Sequence, residues 1–254
     1  MQKILAFACA ILMASTFTSC KKDEENKSTN TGNAMEFKLD HYWGNTFTTG
    51  FTLNKNYYHM KVGDSIQFSM LKYYITNVEL EKLDGTFWKE SESYHLIDAS
   101  KGQLDKFEIK NIPSGEYKGV KFLIGVDSTR NVSGAQSGAL SVENGMFWNW
   151  NTGYIFVRAE GSSPKIKDNE GRFIYHLGGF KQSNNAVREL SFDFDNILAV
   201  SSSAKPSMHF KVNVARFWHD TDIEKVFMIH MPGENAQKLA DLFSEGIILD
   251  HTHR

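Results

Sequence analysis

Nine histidines, five tryptophans and two cysteines carry most of the metal- and redox-capable chemistry in these 254 residues. Of the cysteines, Cys9 lies in an apolar leader and Cys20 follows Phe17-Thr18-Ser19, so neither is left as a free thiol once a leader is removed at Cys20. Disulfides, cysteine-ligated zinc and cysteine nucleophiles are thereby excluded. Imidazole remains as a donor for copper or zinc. His41 sits beside Tyr42 and Trp43, and His176 lies in Phe173-Ile174-Tyr175-His176-Leu177-Gly178. A lone imidazole among apolar neighbours serves either as a ligand or as a hydrogen-bonded core residue, and sequence alone leaves both open. His209 and His219 share strand parity with Lys211 and Asn213, which suggests a solvated face. His251 and His253 offer donors for Cu²⁺ or Zn²⁺, but a chain end is expected to fray.

The other unusual stretch is Met146-Phe147-Trp148-Asn149-Trp150-Asn151-Thr152-Gly153-Tyr154. Read as one strand, it puts Met146, Trp148 and Trp150 on one face, as a core plug or as an apolar, electron-rich platform. No Gly-rich phosphate loop, Gly-x-Ser-x-Gly elbow or His-Glu-x-x-His is present. With no nucleophile–base pair or activated-water site to place, an enzyme is not expected. A net charge of −2 leaves no basic footprint for nucleic acid.

These residues need elements to hold them. Residues 1–19 carry Lys3, an apolar run and small residues before Cys20, the pattern of a lipoprotein signal peptide. Cys20 is then the lipidated first residue, and 20–34 form a polar tether. Its Lys21-Lys22-Asp23-Glu24-Glu25 resembles the acidic signal that exports some lipoproteins to the outer face of the outer membrane. That gives outer-membrane anchoring as an expectation, with surface exposure beyond it. A single domain is read over 35–254. Alternating segments mark strands at Met35–Trp43, Ser65–Leu71, Tyr73–Leu83, Tyr94–Ile97, Phe107–Ile112, Glu116–Val126, Met146–Glu160, Arg172–Leu177, Val187–Phe194 and Ser207–Trp218. Pro113-Ser114-Gly115 reads as a hairpin turn between two of them. Only Glu234–Phe243 has helical spacing. Without crossover helices the expectation is all-β: an antiparallel β-sandwich of roughly nine or ten strands with one short C-terminal helix.

The series Lys72-Tyr73-Tyr74-Ile75-Thr76-Asn77-Val78-Glu79-Leu80, Ile112-Pro113-Ser114-Gly115-Glu116-Tyr117, the Trp148-x-Trp150-x-x-Gly153-Tyr154 segment and Tyr175-His176-Leu177-Gly178 resembles, in order, the MbnP-like domain. That family is named for a periplasmic copper-binding protein associated with methanobactin operons. The resemblance implies a β-sandwich and copper. It implies a tryptophan oxidised to kynurenine by a dihaem peroxidase-like partner, with histidines and the new aromatic amine holding the ion. Carried onto this chain, the ligands would be His41 and His176, and the oxidised residue Trp148 or Trp150. The function so implied is copper capture or homeostasis at the envelope. The alternative is a non-enzymatic binding module for an apolar or sugar ligand on the Trp148/Trp150 platform.

Overall fold

Met35, Phe37, Leu39 and His41 alternate with Glu36, Lys38 and Asp40, and the first set is fully buried. That period of two makes this segment a strand with one face on the core. The computed structural model describes residues 32–254 apart from 103, 135 and 150. Cys20, the signal segment, most of the tether and Trp150 lie outside the described residues.

In chain order the elements are β1 (Asn33–Tyr42), β2 (Asn56–His59), β3 (Asp64–Lys82), β4 (Phe87–Lys89), β5 (Tyr94–Asp98), β6 (Leu104–Ile112) and β7 (Gly115–Ile124). Then come α1 (Ser128–Val132), β8 (Phe147–Asn149), β9 (Gly153–Ser162), β10 (Arg172–Gly178), β11 (Arg188–Val200) and β12 (Ser207–Asn213). The chain ends with β13 (Met228–Ile229), α2 (Glu234–Glu245) and β14 (Ile247–His253).

Two sheets form the expected all-β sandwich. The smaller has order β14-β12-β1-β6, and the larger is built on β11-β7-β3-β9-β10-β13, with β2, β4, β5 and β8 at its margins. Aromatic rings join the sheets. Phe37 of β1 meets Phe122 of β7 edge-on at 5.3 Å, and Phe210 of β12 meets Phe192 of β11 at 5.2 Å. Such T-shaped pairs favour a fixed sheet spacing over a sliding one. After β12 a turn of 3-10 helix, Val214–Trp218, drops Phe217 and Trp218 into the core, and Phe217 stacks on Phe243 of α2 at 5.2 Å. The helical segment read from spacing is therefore the lid at one end of the core, held by Leu239, Leu242 and Phe243.

Three local expectations change. Pairing is mostly antiparallel, but β1–β12 and β10–β13 run parallel. Pro113-Ser114 does not close a hairpin: β6 pairs with β1 in one sheet, whereas β7 pairs with β3 and β11 in the other. Met146–Glu160 is not one strand. The Asn149 Oδ1 accepts from the amides of Asn151 and Thr152, and Gly153 turns the chain at φ +76°, so β8 folds back on β9. A Cβ at Gly153 would lie 2.2 Å from Oδ1 of buried Asn131, whose side chain accepts from the Tyr154 amide and donates to Val126 O. The three-residue β8 cannot carry a Met146–Trp148–Trp150 stripe.

Candidate metal centre

The strand registers decide which histidines can meet. Tyr73 on β3 is opposite Val157 on β9, and Val157 is opposite Leu177 on β10. Directly opposed residues share a face, so Tyr73, Val157 and Leu177 all point into the core, where each is buried. His176, next to Leu177 and opposite Arg158, points out of the other side.

His41 belongs to the inner row of β1. It is fully buried, and its Nε2 lies 3.0 Å from the hydroxyl of Tyr73, so the pair bridges the two sheets through the core. Burial pushes the Tyr73 hydroxyl far above its ordinary pKa, with the Asp105 charge adding to it. That hydroxyl stays protonated as a partner for the imidazole. His41 and His176 are thus on opposite faces of the larger sheet, and the ligand pair expected from the resemblance is not brought together.

His176 has different company. Its Nε2 is 2.8 Å from Glu160 Oε1, and the same carboxylate oxygen accepts from Arg158 Nε at 2.7 Å. Burial pushes the imidazole below its ordinary value against the pull of Glu160, and the charges of Arg158 and His230 add to that lowering. Burial raises the Glu160 carboxyl, but the hydrogen bonds from His176 and Arg158 outweigh it and leave it lowered. The two directions agree on one state at neutral pH, a neutral imidazole donating from Nε2 to a carboxylate. The lone pair then sits on Nδ1. A ligating histidine is typically oriented in this way by a carboxylate behind it.

Trp148 lies over the same outer face. Gly178 follows His176 by two residues, and a Cβ on it would come within 2.8 Å of Trp148 Cζ3. The Gly145 carbonyl just before β8 accepts from Arg158 at 2.7 Å, which pins that segment across the strand. Trp148 is half-buried and packs against the core, so it does not stand clear as a stacking platform. Its indole Nε1 is buried without a hydrogen-bond partner. A buried orphan donor is costly, on the order of 1–3 kcal/mol, and asks for an explanation.

His230 is the residue that sequence reasoning passed over. The parallel β10–β13 register ends with Tyr175 opposite Ile229, and the next residue, exposed His230, is near enough for its charge to help lower the His176 imidazole. Only this long-range pairing reveals it. Glu160 was likewise invisible in a chain of scattered acids. Other histidines are committed elsewhere. His95 bonds Glu90 at 2.7 Å and stacks on Phe107, and His59 bonds the Ala215 carbonyl at 3.0 Å.

The sequence signature of the MbnP family matches residues 32–234. The structure resembles that of MbnP from Methylosinus trichosporium, with a TM-score of 0.54 at 15% identity over 80% of this chain and 82% of that one. At that identity the likeness bears on the fold. A comparison with curated proteins gives no match. A signature spanning residues 32–234, most of the chain, together with a sandwich of the same fold, identifies the chain as a member of the MbnP family, a family associated with methanobactin and copper.

Proposed function

We propose that this protein is a copper-binding lipoprotein of the cell envelope, a binding protein rather than an enzyme, which captures or stores copper on the outer face of its larger sheet. The observation that carries the reading is the His176 ring, oriented by Glu160 with Nδ1 free to donate, on the face where Trp148 has a buried indole N–H and no partner. His230, near enough for its charge to act on His176, supplies a second imidazole. Unmodified indole offers no lone pair to a metal. Two equivalents of peroxide, used by a dihaem peroxidase-like partner, would supply the two oxygen atoms that cleave the ring between C2 and C3, leaving two waters and the N-formyl product. Hydrolytic loss of formate then leaves the aromatic amine of kynurenine. That amine beside two imidazoles is a nitrogen donor set suited to copper. His41 has no part in it. Cys20 supplies the lipid anchor at the outer membrane, since multiple acyl chains hold a protein firmly where one does not.

The test is intact mass and near-ultraviolet absorbance of the protein from its native host, followed by copper titration. The expected result is a modified Trp148 and copper binding that His176→Ala and His230→Ala each weaken at least tenfold. Unmodified tryptophan in the native protein, with copper affinity unchanged in both variants, overturns the reading.

A further inference from the structure

Three histidines gather on the other sheet, far in sequence from the segment just described. One ring nitrogen each of His209, His251 and His253 lies within 4.8 Å of the other two. Strand β12 explains the first: Met208 and Phe210 are buried in the core, so His209 faces outward. Strand β14 explains the others through a bulge. Phe210 is opposite Leu249 and His209 is opposite His251, so Asp250 is an extra residue in the ladder. Without it Asp250 would oppose His209 and His251 would turn inward. The inserted residue re-aims both terminal histidines onto the outer face, a recognised use of bulges beside sites.

The rings are arranged for donation. His251 stacks on His209 with centroids 4.3 Å apart, and the Nε2 atoms of His251 and His253 are 3.1 Å apart. Asp250 Oδ2 lies 2.8 Å from His251 Nδ1 and accepts its N–H, which leaves the lone pair of His251 on Nε2. Between two facing imidazole nitrogens one proton is shared, and a cation in its place lets both donate. Nitrogens around one tetrahedral ion at about 2 Å sit roughly 3.3 Å apart, close to the 3.1 Å between the His251 and His253 nitrogens, with the third within 4.8 Å. Lys38 and Lys211 flank His209 in the same cleft. The flanking cations are themselves answered: Lys38 pairs with Glu36 at 3.1 Å and Lys211 pairs with Asp40. An open cleft lined by Asp40, His209 and His251 gives an ion access from solvent.

We propose that His209, His251 and His253 form a second metal site, separate from the copper site on the larger sheet, for a divalent first-row cation at the copper–zinc end of the affinity series. Three imidazoles with an orienting carboxylate and no thiolate favour such an ion over calcium or magnesium. The family signature ends at residue 234, so two of the three ligands lie beyond it. The site joins β12 to the last strand, and it does not require an oxidised tryptophan.

Zn²⁺ titration of the full mature chain against a competing chelator tests it. The expected result is one equivalent bound, with affinity reduced at least tenfold in His251→Ala/His253→Ala and unchanged in His176→Ala. Equal affinity and stoichiometry in the wild type and the double variant overturn the proposal. Should the double variant fold poorly, imidazole signals of the wild type followed by NMR decide the matter. Zn²⁺ should shift the His209, His251 and His253 rings together, and shifts confined to other histidines overturn it. The His176→Ala arm separates this site from the copper reading, because loss there with the double variant intact faults only this proposal.

Discussion

His41 and His176 carry nearly the same local signal, an imidazole in an aromatic strand, yet they end on opposite faces of one sheet. His41 continues the inward row of β1 and is closed off by Tyr73. His176 sits across from Arg158 on the outer face, braced by Glu160. The first ring is held by a neutral hydroxyl in a dry interior, where its worth is structural. The second is held by a carboxylate at a partly open surface, where its remaining nitrogen can meet an ion. The partner and the face, more than the apolar neighbours, decide what a histidine in a strand does.

The largest effect should come from substitution in the core. His41→Ala removes a buried ring and strands the Tyr73 hydroxyl, so unfolding stability should drop by about 3 kcal/mol. His176→Ala leaves Glu160 still bonded to Arg158 and should cost under about 1 kcal/mol. Urea denaturation of both variants measures the difference. Similar losses in the two would erase the contrast between a core histidine and a surface one.

Much of the contrast was hidden in the sequence for a physical reason. Alternation fixes which residues share a face within a strand, and β1, β5, β10 and the helix α2 were legible in that way. It does not say which sheet a strand joins. Pro113-Ser114-Gly115 looks like a hairpin turn because turn chemistry is local, while the separation of β6 from β7 depends on distant partners. The fold-back after Asn149 had a local signal, Asn-x-Asn-Thr-Gly, but the aromatic run around it dominated the reading. The approach of His230 to His176 and the bulge at Asp250 arise only from packing between distant segments. The family resemblance found the fold, and the pairing of His41 with His176 it implied is not one that the strand registers bring together.

A finer cut is made behind the ligand. Glu160→Gln keeps the size of the side chain and a hydrogen bond to His176 but removes the charge that orients the ring. Its copper affinity, measured on natively produced protein, should fall by about 10-fold or more while the urea midpoint moves little. An unchanged affinity would mean that the carboxylate serves only Arg158, and that the His176 side of the comparison is as structural as the His41 side.

The smallest effect concerns protonation, and it asks whether a third histidine sides with the core or with the surface. His59 has both ring nitrogens engaged: Nε2 lies 3.0 Å from the Ala215 carbonyl and Nδ1 accepts from the Val62 amide at 3.2 Å. Burial pushes its pKa below the ordinary 6.5, with the Ala215 hydrogen bond opposing and the His219 and Lys61 charges adding to the lowering. Because the folded value is depressed, the unfolded chain binds more protons in the window below 6.5, so stability falls as the pH drops through that window and is retained above it. The group is only partly shielded, so the effect should be under about 1 kcal/mol between pH 7 and pH 5. The urea midpoint followed across that range should slope less in His59→Gln, whose amide can donate to the carbonyl without titrating. If the slope is the same in both proteins, another group carries the acid sensitivity.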